Sequence, residues 1–267
     1  GAAAGLAAAF NTPLGGIVYA IEELGVTHFH RVRMALISAV IVSGVFAQWW
    51  LGSYLYLGYP VLTPITFSIL PSAVLMGLIS GFLGAAFGKV LARASQLRQN
   101  ILNPQFFGIV SLVMGLVMAG LIQMDLRAHG AGVEVITGFL FRDEHASGYL
   151  VILRWVASTV SYLSGAAGGI FSPALAIGAS LGSFLSTHIA PEYPHLMVLL
   201  GMIGFLTGVA RTPFTSFILV LEMTDRHSAI FPMMMAALAA QSGALFIDDR
   251  SCYEYMKKRF VVHAPSH

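Results

Sequence analysis

The feature that most limits the fold of this chain is a series of apolar segments that recur along its whole length. These segments are residues 34–51, 69–91, 106–124, 149–163, 171–189, 196–209 and 230–246. A helix needs roughly 20 apolar residues to cross a membrane, and several of the segments are shorter and end at Gly, Pro or Ser. Short, interrupted segments are typical of transporters whose helices stop inside the membrane around a site. We therefore predict an all-α, polytopic membrane protein of short, tilted, interrupted helices.

Composition supports the membrane rather than water as the solvent of this chain. Charged residues make up 10% of the sequence and hydrophobic residues 57%, whereas a soluble domain has about 25% charged residues. A net charge of +2 gives no reason to expect a nucleic-acid partner. The single cysteine, Cys252, excludes a disulfide framework and a multi-cysteine metal site. We expect no metal site, and we place His28 and His30 on a cytoplasmic surface.

Three clusters of basic residues predict the orientation of the chain in the membrane. They lie at residues 28–33, 89–98 and 257–259. Loops rich in Lys and Arg stay in the cytoplasm, so all three clusters are expected there. The link at residues 52–68 carries no charge and is expected outside. The C-terminus is then cytoplasmic, and we expect no cytoplasmic regulatory domain.

An internal repeat relates the start of the chain to a segment near its end. Residues 1–22 are echoed by residues 201–222, and each copy contains a Gly-rich segment, a Thr-Pro pair and a short apolar segment closed by Glu. Thr at the N-cap with Pro in the first turn indicates a helix start. Such repeats are typical of transporters built from inverted halves. We assign residues 1–65 to the end of a first repeat and residues 66–267 to a second repeat and C-terminal helix, and we expect further helices before Gly1.

The repeat distinguishes two adjacent glutamates, because only one of them has a glutamate at the corresponding position of the other copy. Glu22 corresponds to Glu222, whereas Glu23 corresponds to Met223. A carboxylate that both halves keep is expected to be structural and to accept hydrogen bonds at a helix end. An ionisable residue that only one half has, near membrane depth, indicates a functional role. The alternative for Glu23 is an exposed carboxylate that pairs with Arg31 or Arg33.

A run of small residues from Ser164 leads into a predicted helix start at Ser172-Pro173. We expect Ser172 to be the cap and Pro173 to stand in the first turn. The first N–H groups of a helix lack partners within the helix and lie at its positive end, and glycines let an ion approach the backbone. Such a site holds an anion weakly enough to release it. A tight helix crossing of small residues is the alternative, and these residues alone leave both readings open.

Three segments together resemble the CLC family of chloride channels and chloride–proton antiporters. Gly169-Ile170-Phe171-Ser172-Pro173 is similar to the family's GxFxP anion-binding motif. Residues 1–23 resemble the segment that follows its GREGP motif, and residues 211–224 resemble a late, equally distinctive segment. The three occur in the family's order. The resemblance implies the CLC fold, incomplete at the N-terminus.

The resemblance also implies roles for particular residues. The backbone N–H groups of Ile170 and Phe171, within the motif from Gly169 to Pro173, would coordinate a chloride ion. The hydroxyl of Tyr253 would bind the same ion, with Tyr255 as the alternative, and Glu23 would load protons from the cytoplasm. The family's external gating glutamate and its selectivity serine would lie before Gly1.

These expectations combine into a hypothesis of function. We predict a chloride/proton antiporter that is not an enzyme and uses no cofactor, with chloride as its substrate. The alternatives are a passive voltage- or pH-gated chloride channel and a non-transporting fragment of such a protein. An intramembrane hydrolase is disfavoured because Ser164 and His188 show no catalytic spacing.

The expected surroundings of the protein follow from the same resemblance. We predict an integral protein of the bacterial inner membrane, in contact with the lipid bilayer. We expect it to be a homodimer that pairs through aliphatic helices, namely the helices after Pro13 and Pro213 and those at residues 34–51 and 230–246.

Arg154 is expected to pair with Asp143 or Glu144, or else to supply background positive potential for anions.

Overall fold

The computed structural model describes residues 1–23, 29–52, 54–101, 104–165 and 168–254, and its regular elements in these ranges are helices. They are α1 (Ala2–Phe10), α2 (Pro13–Glu22), α3 (Phe29–Leu51), α4 (Leu70–Ile101), α5 (Pro104–Met124), α6 (Val133–Phe141), α7 (Gly148–Ser164), α8 (Phe171–Ile189), α9 (Pro194–Ala210), α10 (Pro213–Thr224) and α11 (Ile230–Leu245). Short 3₁₀ turns lie at Phe67–Ile69, Leu126–Ala128 and His227–Ala229.

The predicted apolar segments correspond to helices, and the all-α prediction is confirmed. The segments coincide with α3, α4, α5, α7, α8, α9 and α11. Within the described ranges, three stretches are long and apolar enough to cross a membrane: Met34–Leu51, Phe67–Gln96 and His227–Leu245. Other apolar helices, including α9 and α10, are shorter. Helix α6 was not predicted because its 9 residues are far fewer than a membrane-crossing segment needs.

The centre of the molecule is built from helices that touch backbone to backbone. A Cβ added at Gly201 of α9 would lie 2.3 Å from the carbonyl oxygen of Gly178 on α8. A Cβ added at Gly81 of α4 would lie 2.2 Å from the carbonyl oxygen of Ala240 on α11. Lipid is as apolar as the side chains, so membrane helices associate through close packing of this kind. The first of these contacts holds α8, where the candidate site begins, against α9.

The two copies of the repeat have the same local structure. Asn11 and Arg211 both adopt the left-handed backbone conformation, with φ of 53° and 64°. The next residue, Thr12 or Thr212, is the N-cap of a helix that begins at proline. The predicted helix starts are therefore confirmed. Neither threonine side chain makes a capping hydrogen bond, however, because the acceptor at each helix start comes from the other copy.

The capping acceptors are Glu22 and Glu222. The Glu222 carboxylate accepts hydrogen bonds from the N–H groups of Leu14 at 3.1 Å and Gly15 at 2.8 Å. The Glu22 carboxylate accepts from the N–H groups of Phe214 at 3.1 Å and Thr215 at 2.7 Å.

The predicted structural role of the repeated glutamates is thereby confirmed. Each carboxylate stands near the end of its own helix and meets the start of the other helix. Helices α2 and α10 therefore run antiparallel, and the two copies are inverted relative to each other. The reciprocal arrangement also satisfies four N–H groups that a helix leaves without internal partners.

Two opposite ends of the molecule can be recognised from contacts made by residues before and within α4. At one end, Thr63 donates a hydrogen bond to the Glu192 carbonyl oxygen, and the Thr66 hydroxyl lies 2.9 Å from that of Tyr193. At the other, Lys89 Nζ lies 3.6 Å from the Asp248 carboxylate. The uncharged link and a basic residue of the second cluster thus lie at opposite ends, as an orientation with the link outside requires.

Candidate functional site

The motif from Gly169 to Pro173 lies at a break between two helices. Helix α7 ends at Ser164, where Gly165 caps it with a φ of 82°, and α8 begins at Phe171 with Ile170 as its N-cap. Among the described residues, no acceptor is assigned to the N–H groups of Phe171 and Ser172, and proline has no N–H. A Cβ added at Gly169 would meet no heavy atom of the described chain within 4 Å. Among the described residues, the first N–H groups of α8 are therefore left without an assigned acceptor, next to a glycine with open space around its Cα.

The prediction that Ser172 caps this helix is wrong. Ser172 lies inside the first turn, and its hydroxyl donates a 2.8 Å hydrogen bond to the carbonyl oxygen of Ala131. The Ser172 side chain is also within hydrogen-bonding reach of the Tyr56 hydroxyl. The hydroxyl is thus bound to a carbonyl of a neighbouring loop and not to an N–H group of its own helix. The first turn of α8 is consequently left without a side-chain cap.

Aromatic rings surround Phe171, the first residue of α8. The Tyr19 ring of α2 meets it edge-on, with centroids 5.7 Å apart and an interplanar angle of 86°. The Tyr253 ring lies 6.3 Å from it. The structure thus brings Tyr253, one of the two tyrosines considered for the anion, beside the helix start. Tyr255 lies outside the described residues.

Glu23 follows directly after α2 and lies near these tyrosines. Its N–H donates a 3.0 Å hydrogen bond to the carbonyl oxygen of Tyr19. Its carboxylate is within electrostatic range of the Tyr19 and Tyr253 hydroxyls. The side chains of Arg31 and Arg33, its alternative partners, lie outside the described part of the chain. Glu23, Tyr253 and Phe171 therefore converge around Tyr19.

Sequence reasoning missed Tyr19 and Tyr56. Tyr19 precedes Glu23 by one helical turn, so the two share a face of α2, and this spacing could have identified it. Tyr56 gave no such signal, because it lies in an irregular segment and reaches Ser172 only through the tertiary fold. Burial raises the pKa of Tyr56 above its ordinary value, so its phenol stays protonated and can donate a hydrogen bond at neutral pH.

The expected pairing of Arg154 with Asp143 or Glu144 is wrong. Glu144 binds Arg142 at 2.8 Å instead, and Asp143 lies 3.5 Å from His195. Arg154, with 2% of its surface exposed, donates to the carbonyl oxygens of Arg127 and Gly130. These carbonyls belong to the loop between α5 and α6.

An ion pair holds the beginning of that loop. The Asp125 carboxylate accepts hydrogen bonds from the Arg127 N–H at 2.8 Å and from the Arg127 guanidinium at 2.8 Å. These hydrogen bonds hold the pKa of Asp125 below its usual value and raise the pKa of Arg127. The pair turns the chain tightly after α5 and directs the following carbonyls toward α7 and α8.

A cavity of about 270 Å³ borders the same helix start. It lies between α4, α5 and α7, and its wall combines backbone of the motif with hydroxyl and apolar side chains. Its lining includes Gly168, Gly169, Ile170, Ser158, Tyr162 and Phe87. In chemical terms, the whole arrangement offers N–H and phenol donors to a small anion, with a carboxylate close behind. The described residues contain no cluster of three or more His, Cys, Asp or Glu able to hold a metal.

Comparison with known proteins gives matches along most of the chain. A family model described as voltage gated chloride channel matches residues 1–244. The H(+)/Cl(-) exchange transporter ClcA of Klebsiella pneumoniae (strain 342) is 30% identical over 272 residues, which cover 97% of this chain and 57% of that protein. ClcA of Yersinia pestis is 31% identical over 279 residues, with the same coverage of both chains.

Solved structures share the fold. A slow cyanobacterial Cl-/H+ antiporter superposes with a TM-score of 0.87 at 23% identity, covering 100% of this chain and 65% of that one. A CLC-type fluoride/proton antiporter gives a TM-score of 0.78 at 24% identity, covering 95% of this chain and 63% of the other. The present chain thus spans little more than half the length of the ClcA relatives.

Proposed function

Because this chain belongs to the voltage-gated chloride channel family, the CLC family, we propose that it forms part of a membrane transporter that exchanges chloride for protons. The names of the matching Klebsiella and Yersinia proteins, H(+)/Cl(-) exchange transporters, support this assignment. So does the antiporter activity named for two proteins of the same fold. The relatives are transporters, and the proposed activity is transport rather than chemical conversion.

The anion is proposed to rest at the start of α8. The N–H groups of Ile170 and Phe171 would bind it, Gly169 would leave room for its approach, and the Tyr253 hydroxyl would donate from the other side. The observation that carries this proposal is the contact between the Tyr253 and Phe171 rings at a helix start without a side-chain cap. Helix dipoles and a neutral phenol bind an anion without a formal cation, which favours rapid release. No cofactor is needed.

The proton is proposed to pass through Glu23. This carboxylate lies within electrostatic range of Tyr253 and therefore near the proposed anion. An ionised Glu23 would repel a chloride ion beside Tyr253, and protonation of the carboxylate removes this repulsion. Occupancy of one site would thus favour occupancy of the other, as coupled transport requires.

The proposal includes the surroundings of the protein. We place it in the bacterial inner membrane with its C-terminus in the cytoplasm, in the orientation that the basic clusters predict. A second copy of the chain would pack against α2, α3, α10 and α11. The outward faces of these helices carry large exposed apolar side chains, among them Leu14, Val42, Phe46, Phe214 and Phe231.

Transport assays on the full-length protein in liposomes test the proposal. Vesicles loaded with high chloride are diluted into low chloride, and chloride efflux and proton uptake are followed with electrodes. Exchange predicts that chloride leaving the vesicles drives protons inward against their gradient. Chloride efflux without proton movement would identify a passive channel, and the absence of both fluxes would rule out chloride transport.

A further inference from the structure

The loop at residues 125–132 accepts hydrogen bonds from two helices, and one of the donors is the buried guanidinium of Arg154. Arg154 of α7 donates to the carbonyl oxygens of Arg127 and Gly130, the second at 3.4 Å. The carbonyl of Ala131, which lies between Gly130 and Gly132 in the loop, accepts instead from Ser172 of α8. Neighbouring carbonyls of one loop are thus bound by two different helices.

Gly132 shows how closely the loop fits between these helices. A Cβ added at this residue would lie 2.6 Å from Arg154 Nη2 and 2.3 Å from the Ala176 Cβ on α8. Gly132 also has a φ of 88°, a conformation that residues with a side chain rarely adopt. The loop therefore fills the gap between the Arg154 guanidinium and α8 without spare room.

Burial makes the guanidinium an effective anchor for this loop. Removing a charged group from water is costly unless hydrogen bonds compensate for it, and Arg154 is 2% exposed. Its compensation comes from two loop carbonyls and from the nearby charge of Asp125 at the start of the same loop. A loop displaced from Arg154 would therefore leave a buried cation with fewer acceptors. The planar, multi-donor guanidinium can hold two carbonyls at once, and a lysine ammonium lacks that fixed geometry.

We propose that Arg154 is a positioning residue for the anion site: it fixes the loop at residues 125–132, and the loop fixes the first turn of α8 through the Ser172 hydroxyl. This inference rests on the proposed function, because the positioned groups are the N–H donors of Ile170 and Phe171. Helix-start donors bind an ion well only when their direction is fixed in advance. Arg154 contributes orientation, and the bound anion does not touch it.

A double-mutant cycle on the full-length protein tests the proposal. Chloride and bromide dissociation constants are measured by calorimetry for the unmodified protein, Arg154→Lys, Ser172→Ala and the double variant. We expect each single variant to weaken chloride binding roughly three- to tenfold and to change the chloride-to-bromide affinity ratio. The double variant should bind about as weakly as either single variant, since both break the same connection. The matched control is Arg142→Lys, an exposed arginine of the neighbouring segment, which should leave both constants unchanged.

The outcomes distinguish a positioning role of Arg154 from a purely structural one. If the effects of R154K and S172A simply multiply, or if the affinity ratio stays constant while thermal stability falls, Arg154 is only a structural residue. If R154K does not fold, S172A decides alone: a folded S172A protein with unchanged chloride affinity overturns the proposal, and weakened binding with an altered ratio supports it. An unmodified protein that binds no chloride would instead contradict the proposed function.

Discussion

Glu22 and Glu23 are neighbours in sequence, yet the structure gives them different surroundings. Glu22 accepts hydrogen bonds from the N–H groups of Phe214 and Thr215 and from the Thr215 hydroxyl. Glu23 instead lies within electrostatic range of Tyr19 and Tyr253. Glu22 thus accepts hydrogen bonds from the start of another helix, whereas Glu23 lies beside the tyrosines of the candidate site. The pair allows a residue-by-residue test of the proton pathway.

The first prediction concerns Glu23. We expect Glu23→Gln to retain chloride flux and to lose chloride-driven proton uptake, because an amide cannot bind and release a proton as a carboxylate does. The matched control is Glu22→Gln, which should keep proton uptake while it lowers thermal stability, since an amide caps α10 less well than a carboxylate. Both fluxes are measured in the same liposomes. Proton uptake at the unmodified level in E23Q would exclude Glu23 from the pathway.

The second prediction concerns Tyr253. We expect Tyr253→Phe to bind chloride about tenfold more weakly, because it removes a hydroxyl donor to a charged ligand, worth about 1.5 kcal/mol or more. The control is Tyr193→Phe, a buried tyrosine whose hydroxyl contacts Thr66, away from the helix start at Phe171. Calorimetric titration with chloride measures both. Equal affinity in Y253F and the unmodified protein would mean that the phenol does not contact the ion.

Sequence reasoning identified some residues of this region and placed others wrongly, for a physical reason. The motif at Gly169 to Pro173 could be recognised because its small residues and proline determine a helix start locally. Ser172 and Arg154 were misplaced because their true partners are backbone carbonyls of a distant loop. Every residue carries a carbonyl, so the sequence offers no signal for which one a side chain will choose.

At the scale of helices, the sequence was more informative. Apolar segments coincide with seven helices because length and hydrophobicity alone decide whether a segment can lie in a membrane. Helix α6 escaped detection because it is short, and its place depends on packing against α8. The antiparallel contact of α2 and α10 was expected only in part: the repeat indicated inverted halves, but the exchange of carboxylates between them requires the fold.

The third prediction concerns the packing of α4 against α11. We expect Gly81→Ala to lower the free energy of unfolding by about 1–3 kcal/mol, because its Cβ would lie 2.2 Å from the Ala240 carbonyl oxygen and force the helices apart. The control is Gly115→Ala on α5, where a Cβ would meet no described heavy atom within 4 Å. That change should leave stability equal or raise it by about 0.5–1 kcal/mol, since alanine favours helix.

Thermal unfolding in detergent, followed by loss of monodisperse protein, compares the two glycine variants. A Gly81→Ala protein as stable as Gly115→Ala would show that α4 and α11 can move apart without cost. The comparison separates packing from helix propensity, because both variants make the same chemical change in the interior of a helix.

For the whole molecule, contacts before and within α4 define two opposite ends, one with Thr63 and the other with Lys89. We predict that the end with Thr63 lies outside the cell and the end with Lys89 in the cytoplasm. We expect Val61→Cys to react with a membrane-impermeant thiol reagent added outside intact cells, and Asp249→Cys to react only after the cells are opened. Both positions are exposed, whereas the natural Cys252 is 3% exposed and should give little background. The unmodified protein serves as the control. Labelling of Asp249→Cys from outside intact cells would show that the chain has the opposite orientation.

The exchange of carboxylates between α2 and α10 also bears on how the protein is made. Glu222 follows Leu14 by 208 positions, so the ribosome must add all of them before the start of α2 receives its acceptor. Until then, the first N–H groups of α2 lack this acceptor, and amides without an acceptor are costly in hydrocarbon. Assembly of the first half is therefore completed only by synthesis of the second, and a translation pause before Glu222 would leave a nascent chain that quality-control proteases can recognise.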